Sequence, residues 1–270
     1  MRTRVVAAVF FFVALAAVVA VLAGRSWLHP DNGSIADGDA LVSHGRDIFR
    51  QTKRYAAAYV GNDLSCSNCH IDAGRHSGAA PISAAYPHFP AYSARDKRDI
   101  TFGERLQECF EFSLNGVAPP ADGDVVTALT AYARRLLENA VREAVVLTRG
   151  FPELDAAPLP PSPARGAVVY ANRCSICHGA DGGGQSAEGK VVFPPLWGER
   201  SYNAGAGMAR TGTAAAFVAA NMPLGQGGTL PPQDAWDVGA FINSQTRPPA
   251  PQERTQRMLA QEPTSSSHGR

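Results

Sequence analysis

With 270 residues and an apolar fraction of 45%, the chain can build one large core or two modest ones, which excludes a disordered polymer. Its 25 Lys and Arg are mixed along the sequence with 24 Asp and Glu, for a formal net charge of +1. No basic stripe that would follow a phosphate backbone exists, so nucleic acid is not an expected partner.

The chain opens with Arg2 and Arg4, then runs from Val5 to Ala23 without a charged residue. Residues 1–24 therefore read as an export signal. The apolar run is long for a cleavable signal peptide and just long enough to span a bilayer, so cleavage and retention as an anchor both stay open. Residues 25–40, with Pro30, Asn32, Gly33, Asp37, Gly38 and Asp39, read as a polar tether.

Residues 41–150 are expected to form a first helical domain. Gly45, Ile48 and Phe49 open it on a short helix, ahead of Cys66-Ser67-Asn68-Cys69-His70. In a CxxCH string the two thiols form thioethers to haem vinyl groups and the His supplies an axial iron ligand. Cys66 and Cys69 are thus attachment residues and His70 a proximal ligand. No methionine lies between His70 and residue 150. His76 and His88 could fill the sixth position but read as surface residues, and His76 is close in sequence to the proximal side.

Cys109 is the fifth cysteine, and a thiol left over in an exported chain signals reactivity. Its alternative role is that of a buried, inert apolar residue. It sits in residues 104–116, which read as a helix turning at Asn115-Gly116. Arg95, Lys97 and Arg98 upstream and Arg105 one turn before would stabilise a thiolate and attract anions. Lys97 and Arg98 fit ordinary solvated surface, which leaves Arg95 and Arg105 as candidates. Ser113, one turn after Cys109, would share its face and could donate a hydrogen bond. Residues 124–146 then form an amphipathic helix with Val125, Leu129, Tyr132 and Leu136 inward.

From Phe151 to Pro163 five prolines prevent a continuous helix and mark a linker. Residues 164–247 look like a diverged copy of the first unit. Gly166, Val169 and Tyr170 precede Cys174-Ser175-Ile176-Cys177-His178, and residues 232–244 close the copy with Trp236, Gly239 and Ile242 on one face. Cys174 and Cys177 would attach a second haem, with His178 its proximal ligand. The Pro195 carbonyl is expected to accept the other ring proton of His178. Met222, in residues 219–225, looks like the ligand of a methionine loop, whereas Met208 reads as loop packing. Residues 248–270 read as a disordered tail. The fold class is therefore mainly α: two cytochrome c-like helical domains joined by a Pro-rich linker behind an N-terminal signal or anchor. Such a chain is periplasmic, soluble or tethered by residues 5–23.

From about Gly45 to Pro248 the sequence resembles the dihaem thiosulfate dehydrogenases, which run as tetrathionate reductases in reverse. The resemblance is carried by Gly61-Asn62-Asp63-Leu64-Ser65 leading into the first haem string, by residues 105–116, and by residues 193–228 with PPLWG, SYNAGAGM and NMPLGQGG. It implies two covalently bound haems c, His70/Cys109 ligation at the first and His178/Met222 at the second. It also implies thiosulfate or tetrathionate held between Cys109, Arg95, Arg105 and Ser113, with an external cytochrome c or similar acceptor as partner. Some members use a lysine beside the methionine; here Asn221 stands there. Phe112 and Leu114 replace a basic residue and a methionine, which removes one supplementary anion contact. Two other functions fit the motifs: an electron carrier without its own substrate site, and the haem subunit of a sulfur-conjugating complex.

Overall fold

The computed structural model describes residues 32–251 except Leu147 and Gly189. The expected signal or anchor over residues 1–24, and the tail beyond Pro251, lie outside the described residues. Among the described residues no helix is long and apolar enough to cross a membrane. The chain clusters into a short unit ending at Leu41 and a second unit from Val42 onward.

Helix α1 (Asn32–Arg50) is followed by short turns, by the antiparallel hairpin β1 (Ala91–Ser93) and β2 (Arg98–Ile100), and by α2 (Phe102–Glu108). Next come α3 (Asp124–Arg142), α4 (Pro163–Arg173), the hairpin β3 (Gln185–Ala187) and β4 (Lys190–Phe193), α5 (Thr211–Asn221) and α6 (Pro232–Ser244). Helix α3 stops at Arg142, short of the expected Val146. Its end is a Schellman closure: Ala144 has φ 53° and donates to the Val141 carbonyl, while Val145 donates to that of Ala140. The left-handed residue is an alanine, so no glycine announces this stop.

The two halves repeat one packing solution. A Cβ on Gly45 would lie 2.0 Å from the Ala128 carbonyl oxygen, and one on Gly166 would lie 2.0 Å from that of Asp237. Each glycine thus lets an opening helix touch the backbone of a closing helix, α1 on α3 and α4 on α6. Aromatic rings fill the space beside each crossing. Phe49 lies 5.6 Å from Tyr132, and Tyr170 lies 5.3 Å from Phe241 and 4.9 Å from Trp197. The second core gathers Tyr170, Val218, Leu230, Ala235, Val238 and Ile242. Trp236, expected on that face, instead covers Gly212 of α5 and donates to the Asp155 carbonyl.

The Pro-rich stretch is a packed strap. Leu159 N donates to Gln233 and Ser162 N to Asp237, while Phe151 meets Phe217 edge-on at 5.5 Å. Ser162 caps α4, with Pro163 at its first position. At the far end the packed chain continues past Arg247: Pro248 accepts from Ala204 N and Ala250 is buried.

Candidate functional site

The first CxxCH string begins a short helical turn that the buried Thr52 anchors. Thr52 N donates to Ser65 Oγ, and Cys66 N donates to Thr52 Oγ1. Ser65 N donates to Asn68 Oδ1 at 2.6 Å, closing the start of the turn. His70 Nδ1 lies 2.8 Å from the Ala80 carbonyl. With the ring proton held there, Nε2 keeps a free lone pair for a metal. Burial, aided by the Arg105 charge, lowers the His70 pKa and keeps the imidazole neutral. Burial also pushes the Cys66 thiol up to about 12 and Cys69 to about 11, and the nearby Cys109 adds to both.

The second string has the same design with a different partner. His178 Nδ1 lies 2.9 Å from the Pro194 carbonyl, not that of Pro195 as expected. The Pro195 carbonyl faces the other way and accepts from Ser201 Oγ. Burial lowers the His178 pKa and pushes Cys174 up to about 11. An open cavity of about 230 Å³ is lined by Cys174, Cys177, His178 and Met222, with Met208, Phe193 and Leu196 among its walls. Both methionines border it. Asn221, beside Met222, directs its amide nitrogen to the carbonyls of Gly78 and Phe217. Cys69 and Leu64 of the first half border the same cavity.

These surroundings fit haem. Paired thiols precede a His whose distal nitrogen is free, and the second string opens onto an apolar cavity. Among the described residues no group of three or more His, Cys, Asp or Glu side chains could hold a bare ion.

Cys109 does not sit in the expected continuous helix. Helix α2, capped by Thr101 and Glu104, gives way at Cys109 to a π turn over Cys109–Ser113. Such turns leave carbonyls without their usual partners. Here six consecutive ones are all satisfied. The Cys109 carbonyl accepts from Leu114 N, and that of Phe110 from Gly116 N. Glu111 accepts from Asn203 Nδ2 at 2.8 Å and Phe112 from Asn203 N at 3.2 Å. Ser113 accepts from Asn62 Nδ2 at 2.9 Å, and Leu114 from Gly61 N at 2.9 Å. Four of the six donors come from the Gly61-Asn62 and Ser201-Tyr202-Asn203 segments, both distant in sequence. Close approach requires glycine at Gly61, where a Cβ would lie 2.0 Å from the Asn115 carbonyl oxygen.

Charge surrounds this turn. Arg105 donates to Glu108 Oε2 at 2.6 Å, and Arg95 Nε lies 3.6 Å from Glu108 Oε1. The Arg95 guanidinium also stacks 3.5 Å over the Phe112 ring and donates to the Gly205 carbonyl. Arg105 stands one helical turn before Cys109, whose charge is the largest influence raising the Arg105 pKa. Ser113 closes the π turn, half-buried. Arg98 pairs with Glu104 on the surface, and His76 and His88 are exposed. Three contributors escape sequence reading: Glu108, which bridges both arginines, and the buried Asn62 and Asn203. Asn62 and Asn203 left a trace only in the GNDLS and SYNAGAGM strings, and Glu108 only within residues 105–116.

A family model for subunit III of cbb3-type cytochrome c oxidase matches residues 161–242. The thiosulfate dehydrogenase of Stutzerimonas stutzeri is 46% identical over 232 residues, covering 85% of this chain and 76% of its own. That of Thiomonas intermedia is 47% identical over 234 residues, covering 86% and 74%. That of Allochromatium vinosum is 39% identical over 251 residues, covering 91% and 87%. Among solved structures, the thiosulfate dehydrogenase TsdBA of Marichromatium purpuratum, in its as-isolated form, superposes with a TM-score of 0.75 at 43% identity. The match covers 83% of this chain and 50% of that one, so this chain spans about half the length of the solved protein.

Proposed function

Since this chain belongs to the thiosulfate dehydrogenase family, we propose that it oxidises two thiosulfate ions to tetrathionate and passes the electrons to an external cytochrome c. The supporting observation is the placement of Cys109 on a π turn beside Arg105 and within electrostatic reach of the first CxxCH string. In this reading residues 41–150 would carry the catalytic haem, held by Cys66, Cys69, His70 and Cys109. Residues 164–247 carry the electron-transfer haem, held by Cys174, Cys177 and His178 with Met222. Both are covalently attached, and residues 1–24 deliver the chain to the periplasm, where it is soluble or tethered.

Thiosulfate is a dianion. Arg95 and Arg105 bind its sulfonate oxygens through charge-assisted hydrogen bonds, while Ser113 orients it. Glu108 fixes the two guanidiniums without neutralising both. The Cys109 thiolate and the outer sulfur of the first thiosulfate join in an S–S bond as two electrons leave. The bound haems supply one-electron acceptance, twice. The outer sulfur of a second thiosulfate then attacks the outer sulfur now attached to Cys109. The Cys109–sulfur bond breaks, tetrathionate departs, and the thiolate is restored. The same residues serve the reverse reaction.

The test is anaerobic turnover of the purified, haem-loaded chain with thiosulfate and ferricyanide, with tetrathionate quantified. Stoichiometric tetrathionate supports the proposal. No product without a carrier protein would favour a sulfur-conjugating subunit or a pure electron carrier.

A further inference from the structure

We infer that Asn203, contributed by the second half of the chain, is a positioning residue for the thiosulfate site of the first half. The inference rests on the proposed role of Cys109 and deepens it.

Asn203 is 0% exposed, and its backbone N–H and both side-chain polar atoms serve this site, while its carbonyl closes its own loop on Ala206 N. Its side-chain nitrogen donates to the Glu111 carbonyl at 2.8 Å and to Asn115 Oδ1 at 3.2 Å. Its backbone N–H donates to the Phe112 carbonyl at 3.2 Å. Its Oδ1 accepts from Gly205 N at 3.0 Å. The Gly205 carbonyl in turn accepts from Arg95 at 2.7 Å, and Arg95 lies 3.5 Å over the Phe112 ring. The contacts close a ring: Asn203 to Phe112, Phe112 to Arg95, Arg95 to Gly205, and Gly205 back to Asn203. One residue thus fixes both the turn bearing the sulfur and the guanidinium that meets the anion.

The physical need is plain. A π turn leaves the Glu111 and Phe112 carbonyls without helical donors; the Asn203 side chain supplies the first donor and its backbone N–H the second. Without Asn203 the turn's cheapest escape is to tighten toward α geometry, which rotates Cys109 about its axis. The Gly205 N–H loses its acceptor at the same time, which loosens the residue whose carbonyl sets the reach of Arg95. The second half is therefore part of the first half's substrate site as well as its route for electrons.

The test uses the full, haem-loaded chain carrying Asn203→Ala, with Asn203→Ser as the milder variant should the first not fold. Three quantities are compared with the parent: the ferric electron paramagnetic resonance of the first haem, the sulfur-to-iron charge-transfer band of the second, and KM and kcat for thiosulfate. The expected result is a changed thiolate signature at the first haem, an unchanged second haem, and KM raised about ten-fold, the scale of one hydrogen bond to a charged group. An unchanged first-haem signature with parental KM overturns the inference. Equal disturbance of both haems also overturns it, because that marks general loosening. The resonance signal needs no turnover, so a parent chain inactive on thiosulfate would defeat the proposed function while leaving Asn203 testable.

Discussion

At the scale of single residues, the two CxxCH strings were legible because the pattern is local. Each of its side chains is defined by its neighbours in sequence, and each His finds a backbone carbonyl within 16 residues. The arrangement of the two arginines proposed to bind substrate was legible only in part. Arg105 stands one turn from Cys109, but Arg95 reaches the site through Phe112 and Gly205, and the carboxylate that joins both arginines reads in sequence as another helix-surface glutamate. Glu108 is 9% exposed, and its Oε1 accepts no hydrogen bond among the described residues. Replacing Arg105 with Ala is expected to raise KM for thiosulfate about ten-fold or more, with both haems still attached, as steady-state assays would show. Parental KM in that variant would remove Arg105 from the site. Because the attraction is ionic, parental KM should also rise between low and physiological salt.

At the scale of elements, the amphipathic helices followed from spacing, whereas the π turn did not. An α helix and a π turn differ by one residue per turn, and the donors that stabilise the latter lie about 50 and 90 positions away, at Asn62 and Asn203. No local signal can carry that information. The paired glycines offer a direct check. A valine at Gly166 must displace the Asp237 backbone, and overpacking of this kind costs about 1–3 kcal/mol or more. Chemical denaturation of Gly166→Val should show that loss. Gly38 of α1 has nothing within 4 Å of its missing Cβ. Gly38→Ala should therefore be neutral or stabilise by up to about 1 kcal/mol. Equal stability of the two variants would contradict the close-crossing account.

At the scale of the whole molecule, the Pro-rich strap and the asparagine contacts lie within the compact unit from Val42 onward and join the two repeats marked in sequence by the CxxCH strings and the prolines between them. The strap is pinned at Asp237. Burial would raise its pKa, but hydrogen bonds from Arg165, Ser162 N and Gln233 outweigh that and hold it below the ordinary carboxylate value. A carboxyl lowered on folding contributes stability that is present above its unfolded pKa, about 3.9, and lost as pH falls through the folded one. Acid titration of stability should therefore steepen below about pH 4 in the parent and flatten in Asp237→Asn; identical profiles would remove Asp237 from that role. The central claim is that the Cys109 sulfur performs the chemistry while two haem sites carry the electrons away. Its most direct test is tetrathionate formation from thiosulfate and ferricyanide by the haem-loaded parent and by Cys109→Gly. Product from the parent alone, with both haems retained in the variant, is the result expected; tetrathionate from Cys109→Gly at the parental rate would contradict the account.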